Sequence, residues 1–221
     1  MSPEMTKLLE LLRSQVGYSA QGNGYTKYGN WYNNVEQDAD YSTEPWCDMF
    51  LSWGARQLGY DDWFGQFAWT VGHAKWFKEQ GAWGGKPVPG ALVFYDWSGS
   101  RAISDIDHVG IVTKVVGNKI QTIEGNIDGG QVKIKLRDQN AVVGYGYPEK
   151  IKERMQGTSH AISATKASAQ QPTPAAPAAP YDLGPQAIIA SVLITTLALT
   201  VMRTRRRVCA RLKDAPFRET C

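Results

Sequence analysis

The chain has 221 residues, 43% of them hydrophobic and 20% charged, which is ordinary usage for a globular protein and excludes a chain too polar to fold. Its formal net charge of +3 is too small, and too concentrated toward the C-terminus, to form an electrostatic footprint for nucleic acid. Of the three cysteines, Cys209 and Cys221 lie in the basic tail and cannot form a local pair with Cys47.

In chain order, the run MTKLLELLRSQVG predicts an amphipathic helix with Leu8, Leu9, Leu11, Leu12 and Val16 on its apolar side and Gly17 at its end. Glu10 and Arg13 interrupt the apolar run and no small-residue cleavage site follows, so it reads as a poor secretory signal. The segment NGYTKYGNWYNN is rich in Gly and Asn, which favours a mobile surface loop. Asp38, Asp40, Glu44 and Asp48 form an acidic cluster whose simplest reading is a solvated loop.

In EPWCDMFLSWGARQLG, Pro45 ends an extended stretch, and Met49, Phe50, Trp53 and Leu58 recur at helical spacing. Cys47 therefore falls in the first turn of a helix. Unpaired amides and the macrodipole there favour a thiolate and pull the thiol below its usual pKa of about 8.5. A lone cysteine is also commonly just a small buried hydrophobe. A nucleophilic thiol needs a histidine to take its proton and a third group to orient that histidine. Three histidines are on offer: His73, His108 and His160. His73 lies in TVGHAKWFKEQG, where Val71, Ala74, Trp76 and Phe77 suggest packing, and His160 falls in a linker.

His108 opens DHVGIVTKVVGNKIQTIEGN, which reads as two strands, 108–116 and 119–126, joined at Gly117-Asn118. Asp105 and Asp107 just before it read as turn residues. Glu124 and Asn126 are two residues apart and share a strand face. A hairpin loop of odd length, pairing Val116 with Ile120, places both on the His108 face, with Asn126 opposite Gly110. A strict two-residue loop places them on the other face. Strand counting makes Asn126 the nearer partner of His108, while twist or a bulge would bring Glu124 in. All eight tryptophans precede residue 98, and some must build a core. Trp46, beside the thiol, and Trp97, in the YDWSGS loop, are the candidates for a substrate groove.

Taken together, WCDMFLSWG, GALVFY, DHVGIVT, IEGN and GYGYP resemble the CHAP domain, the cysteine, histidine-dependent amidohydrolase/peptidase family, over about residues 1 to 150. The resemblance implies an α+β, papain-like fold with N-terminal helices packed on an antiparallel β-sheet. It also implies Cys47 as nucleophile, His108 as general base and then acid, and Glu124 and Asn126 as orienting groups. The substrate class implied is the amide bonds of bacterial peptidoglycan, cut through a thioester acyl-enzyme in a cellular or phage-borne hydrolase with a monomeric catalytic domain. No cofactor is required for such chemistry, and the domain has too few His and Cys ligands for a zinc amidase. Some members of the family carry calcium just before the cysteine, and Asp38 and Asp40 resemble that pair. Met49 stands where a further aspartate is expected.

After Pro148 the composition changes. Residues 151–182 are rich in Ala, Ser, Gln and Pro and read as a disordered spacer. Leu183 to Met202 contains no charge over twenty residues, the length of a transmembrane helix, and Arg203, Arg205, Arg206 and Arg207 follow. Residues 203–221 then form a basic tail. The arginines predict a cytoplasmic C-terminus and a domain facing the cell wall from a single-pass anchor in membrane lipid. The absence of a recognisable signal peptide conflicts with that placement. Two other readings stand beside the wall hydrolase: a non-catalytic wall-binding or scaffolding protein, and a membrane-attached intracellular amidase acting on a small amide.

Overall fold

The computed structural model describes residues 1–169, with side chains through residue 158. Helix α1, Pro3–Arg13, begins where Ser2 caps it by accepting from the Met5 amide, and Pro3 occupies a first-turn position that needs no donor. It buries Met5, Leu8, Leu9 and Leu12, whereas Val16, expected on the apolar side, is exposed. The segment expected to be a mobile loop instead contains helix α2, Lys27–Tyr32, capped by the Thr26 hydroxyl. Burial of Tyr28 and Tyr32 outweighs the local Gly and Asn preference for a loop.

Helix α3, Cys47–Gln57, follows the predicted spacing and buries Met49, Phe50, Leu51 and Ala55 along with Cys47. A short α4, Asp61–Phe64, and α5, Thr70–Glu79, complete the helical half. The strands are β1, Trp83–Gly84; β2, Leu92–Tyr95; β3, His108–Val116; β4, Lys119–Ile127; β5, Gln131–Arg137; and β6, Val142–Gly146. They form one antiparallel sheet in the order β1-β6-β2-β3-β4-β5. The chain is therefore a mixed fold of helices and an antiparallel sheet.

Strand alternation divides the sheet into two faces. Leu92, Phe94, Val109, Ile111 and Ile123 join the core beneath the helices. Val93, Tyr95, Val112, Ile120 and Tyr145 form a second cluster on the other face. Helix α3 meets the sheet at Gly125, where a β-carbon would stand 2.8 Å from the Trp46 ring and 2.9 Å from Phe50. Only a glycine admits the helix this closely to β4.

Helix α6, Pro148–Ala169, corrects the expectation of a disordered spacer starting at residue 151. Pro148 starts the helix at a favourable position, Glu149 lies in its first turn, and no further proline occurs until Pro172. Ile151 is buried in the main core. Low apolar content had weighed against folding, but Lys, Glu, Arg, Met, Gln and Ala are good helix formers and need little burial to continue a turn already docked. The proposed span 183–202 and the basic tail lie outside the described residues. Among the described residues, no helix is long and apolar enough to cross a membrane.

Gly125→Ala is expected to force α3 away from β4 and destabilise the fold by about 1–3 kcal/mol, the usual cost of overpacking. A chemical-denaturation midpoint equal to that of the wild type would show the close contact to be relaxed at little cost.

Candidate active site

The β3–β4 hairpin has the tight connection the sequence allows, with Val116 paired to Lys119 across Gly117-Asn118. Taken alone, that register would turn Glu124 away from His108. A bulge between Val112 and Lys114 then shifts the pairing by one residue, so that Ile111 faces Ile123. Glu124 comes to lie against Gly110, where a β-carbon would be 2.7 Å from its Cγ. The Glu124 carboxylate thereby reaches His108.

Glu124, not Asn126, is the partner of His108. His108 Nε2 lies 3.1 Å from Glu124 Oε2, and both side chains are buried. Strand counting favoured Asn126 because it assumed a regular ladder. Asn126 instead adopts a left-handed backbone, φ 58°, within a second register shift between Glu124 and Ile127. It lines the cavity beside His108.

Glu124 is held from the other side by a residue the sequence reading missed. Arg137 donates from Nε to Oε1 at 2.9 Å and from Nη2 to Oε2 at 2.6 Å, and the Thr122 hydroxyl donates to Oε1 at 2.5 Å. Burial alone would push the Glu124 carboxyl up, but the forked contact from Arg137, and then His108 and Thr122, outweigh it and bring the pKa down to about 2. A carboxylate with fewer donors in this interior would take up a proton. A sequence signal for Arg137 did exist, namely an arginine at the end of the strand after IEGN. It becomes legible only once β5 is known to pair with β4.

The same guanidinium lies 5.3 Å from the Trp97 ring and 5.8 Å from the Tyr95 ring. Tyr95, Trp97 and His108 are mutually stacked, with centroids 5.1 to 5.9 Å apart. The Trp97 loop is held by Asp96, whose carboxylate accepts from Ser98 N and Oγ, Ser100 Oγ and Arg101 N at 2.6 to 2.8 Å. The Ser98 contact foremost keeps that carboxyl well below the usual range. Trp97, 49% exposed, joins His108, Asn126, Asp128 and Arg137 in lining a surface cavity of about 350 Å³.

Trp46 does not share that position. It is 2% exposed and stacks on Tyr28 with ring centroids 5.2 Å apart, so it is a core ring that fastens the start of α3. The tight seat against Gly125 leaves it no open face.

Cys47 is the first residue of α3 and is buried. The residue before the helix, Trp46, supplies no side-chain cap, so no cap side chain competes for the amides of the first turn. Asp38 and Asp40, which resemble the family's calcium pair, make local hydrogen bonds. Asp38 accepts from Tyr41 Oη at 2.8 Å, and Asp40 accepts from Asn33 Nδ2 and Ser42 N at 3.0 and 2.9 Å. Among the described residues, no three His, Cys, Asp or Glu side chains gather to hold a metal ion.

Residues 36–126 match the family model of the CHAP domain. That CHAP interval begins just before α3 and ends at Asn126, so Cys47, His108, Glu124 and Asn126 all fall inside it. No curated protein matches the chain. Among solved structures, the crystal structure of Ly7917 is similar, with a TM-score of 0.40, 18% identity, and coverage of 65% of this chain and 62% of that one. The structure of Ly7917 with the hydrolyzing product of MDP gives a TM-score of 0.39, 20% identity, and coverage of 65% and 63%. The chain thus spans less than two thirds of the length of these structures.

The depressed Glu124 pKa carries a definite sign. Its folded value of about 2 lies below the ordinary 4.5, so the stabilisation is fully present above pH 4.5 and is lost as pH falls through about 2. Arg137→Met should cost about 3 kcal/mol at neutral pH by leaving a buried carboxylate without its main counter-charge. It should also move the acid limb of stability to higher pH. Urea midpoints measured from pH 2 to 7 test this; parallel curves for variant and wild type would contradict it.

Proposed function

We propose that the protein is a cysteine-dependent amidohydrolase acting on peptidoglycan, with Cys47 as nucleophile. The observation that carries the reading is the Glu124 carboxylate bound to His108 Nε2. With an ionised carboxylate accepting from Nε2–H, the basic lone pair of the imidazole lies on Nδ1, the nitrogen left to accept a thiol proton. The CHAP match over residues 36–126 and the thiol's place at an uncapped helix start support the same assignment.

In this mechanism Nδ1 takes the Cys47 proton and the thiolate attacks the amide carbonyl carbon. The resulting oxyanion is met by amides of the first turn of α3. As the tetrahedral intermediate collapses, the C–N bond breaks and the amine leaves with the proton from Nδ1. A thioester to Cys47 remains. Water then gives a proton to Nδ1 and attacks the thioester carbonyl, the C–S bond breaks, Nδ1 returns that proton to the Cys47 sulfur, and the carboxylic acid product departs, losing its own proton to solvent. Glu124 stays ionised throughout and balances the imidazolium. The cavity beside His108, with Trp97 and Asn126 in its wall, is the proposed seat of the peptide portion of the substrate. Trp97 supplies an exposed ring face for it.

The test is digestion of purified peptidoglycan by the full chain, read as new amino groups and as soluble fragments. Wild type should release both. Cys47→Ala should fall to background, and Glu124→Gln should fall by about 10²–10⁴-fold through loss of the imidazole's orientation. Activity surviving in Cys47→Ala would remove the nucleophile from the proposal, and fragments carrying new reducing sugar ends without new amines would point to glycan cleavage instead.

A further inference from the structure

The mechanism above leaves one buried ionisable pair unused. Asp48, the residue after Cys47, places Oδ1 2.8 Å from His73 Nδ1, and both side chains are fully buried. His73 Nε2 lies 2.9 Å from the carbonyl oxygen of Phe64. A carbonyl only accepts, so Nε2 must carry hydrogen. The contact with Asp48 then requires one further proton, on Nδ1 against a carboxylate or on the carboxyl against a bare Nδ1. Both nitrogens of His73 are thus committed. Its ring cannot turn, because Phe67 and Phe77 stack on it with centroids at 4.4 and 4.8 Å and interplanar angles of 20° and 16°. His73 is therefore a fixed anchor and not a second base.

A second contact comes from the same turn of α5. The Thr70 hydroxyl donates to the carbonyl of Ile106 at 3.2 Å, two residues before His108. Thr70 and His73 are three apart and lie on neighbouring positions of one helical face. One holds the approach to His108 and the other holds the residue after Cys47. Helix α3 has no side-chain cap of its own, and the Asp48 contact ties its first turn to α5 instead. Asp48 Oδ2 is buried without a hydrogen-bond partner among the described residues. A buried polar atom left unpaired lowers stability, so a purely structural contact would be better served by apolar side chains.

We propose that the first turn of α5 is a gauge that sets the distance between nucleophile and base, with Asp48, His73 and Thr70 as positioning residues. The inference rests on the assignment of Cys47 and His108 made above. Misplacement of the thiol against the imidazole by a fraction of a bond length weakens both proton transfer and attack, so the gauge acts on rate without touching substrate.

The test reads Cys47 itself, by the pH dependence of its alkylation with iodoacetamide in the full chain, alongside kcat and KM on peptidoglycan and thermal unfolding. Asp48→Asn is the conservative variant. Its amide can donate to a neutral His73 Nδ1 while Nε2–H keeps the Phe64 carbonyl, so activity should stay close to wild type. The double variant Asp48→Leu/His73→Phe replaces the pair with apolar groups of similar volume, and Thr70→Val removes a single hydroxyl while keeping its shape. Each should remain folded, lose about tenfold or more in kcat with little change in KM, and shift the onset of alkylation up toward the about 8.5 of an ordinary thiol. Wild-type kcat and alkylation profile in folded Thr70→Val, or in the folded double variant, would overturn the gauge. Should the double variant not fold, Thr70→Val alone decides. An ordinary thiol profile in the wild type would instead sink the assignment of Cys47, a different result from failure of the gauge.

Discussion

The buried carboxylate of Glu124 is the interaction on which the rest of the site depends. An ionised group in a protein interior is tolerated only where nearly every lone pair is claimed by a donor. Here the donors come from three strands: His108 on β3, Thr122 on β4 itself and Arg137 on β5. Moving any of these strands by one residue would leave the charge uncompensated. The register of half the sheet is thus tied to one side chain, beyond what the hydrophobic alternation requires. Gly110 completes the arrangement by omitting the side chain that would occupy the carboxylate's place.

The same carboxylate links the inner site to its open wall. Arg137 spends two donors on Glu124 and presents its plane to Trp97 and Tyr95. Trp97 is therefore held at the cavity by the residue that keeps Glu124 ionised, and by Asp96 through the turn behind it. Orientation of the imidazole and shape of the cavity wall are coupled through a single guanidinium. A lysine, with one ammonium centre and no planar fork, would meet only part of this geometry.

The helical half of the fold was largely legible in the sequence, because α1 and α3 carry apolar residues at helical spacing and the hairpin carries its Gly-Asn turn. What was not legible follows from long-range packing. Segment 23–34 reads as a loop by composition, and only the burial of Tyr28 and Tyr32 makes its centre helical. Trp46 looks like a groove residue by its neighbour Cys47, but Gly125, far away in sequence, seals it into the core. At the site, the types of residue were readable and their pairing was not. The choice between Glu124 and Asn126 turned on a bulge at Thr113 that breaks the regular ladder, and no local signal in VGIVTKVV specifies it.

His73 and His108 show how geometry separates two histidines that composition leaves equal. His73 and His108 are both buried, both bonded to a carboxylate, and both flanked by aromatic rings. His73 has a carbonyl at its second nitrogen, so both of its ring nitrogens are committed to fixed partners. His108 borders an open cavity, and the partner of its Nε2 is an ionised carboxylate stabilised independently by Arg137. The proposed role of His108 as base rests on that difference: its ring borders open space, whereas both nitrogens of His73 are committed to the interior.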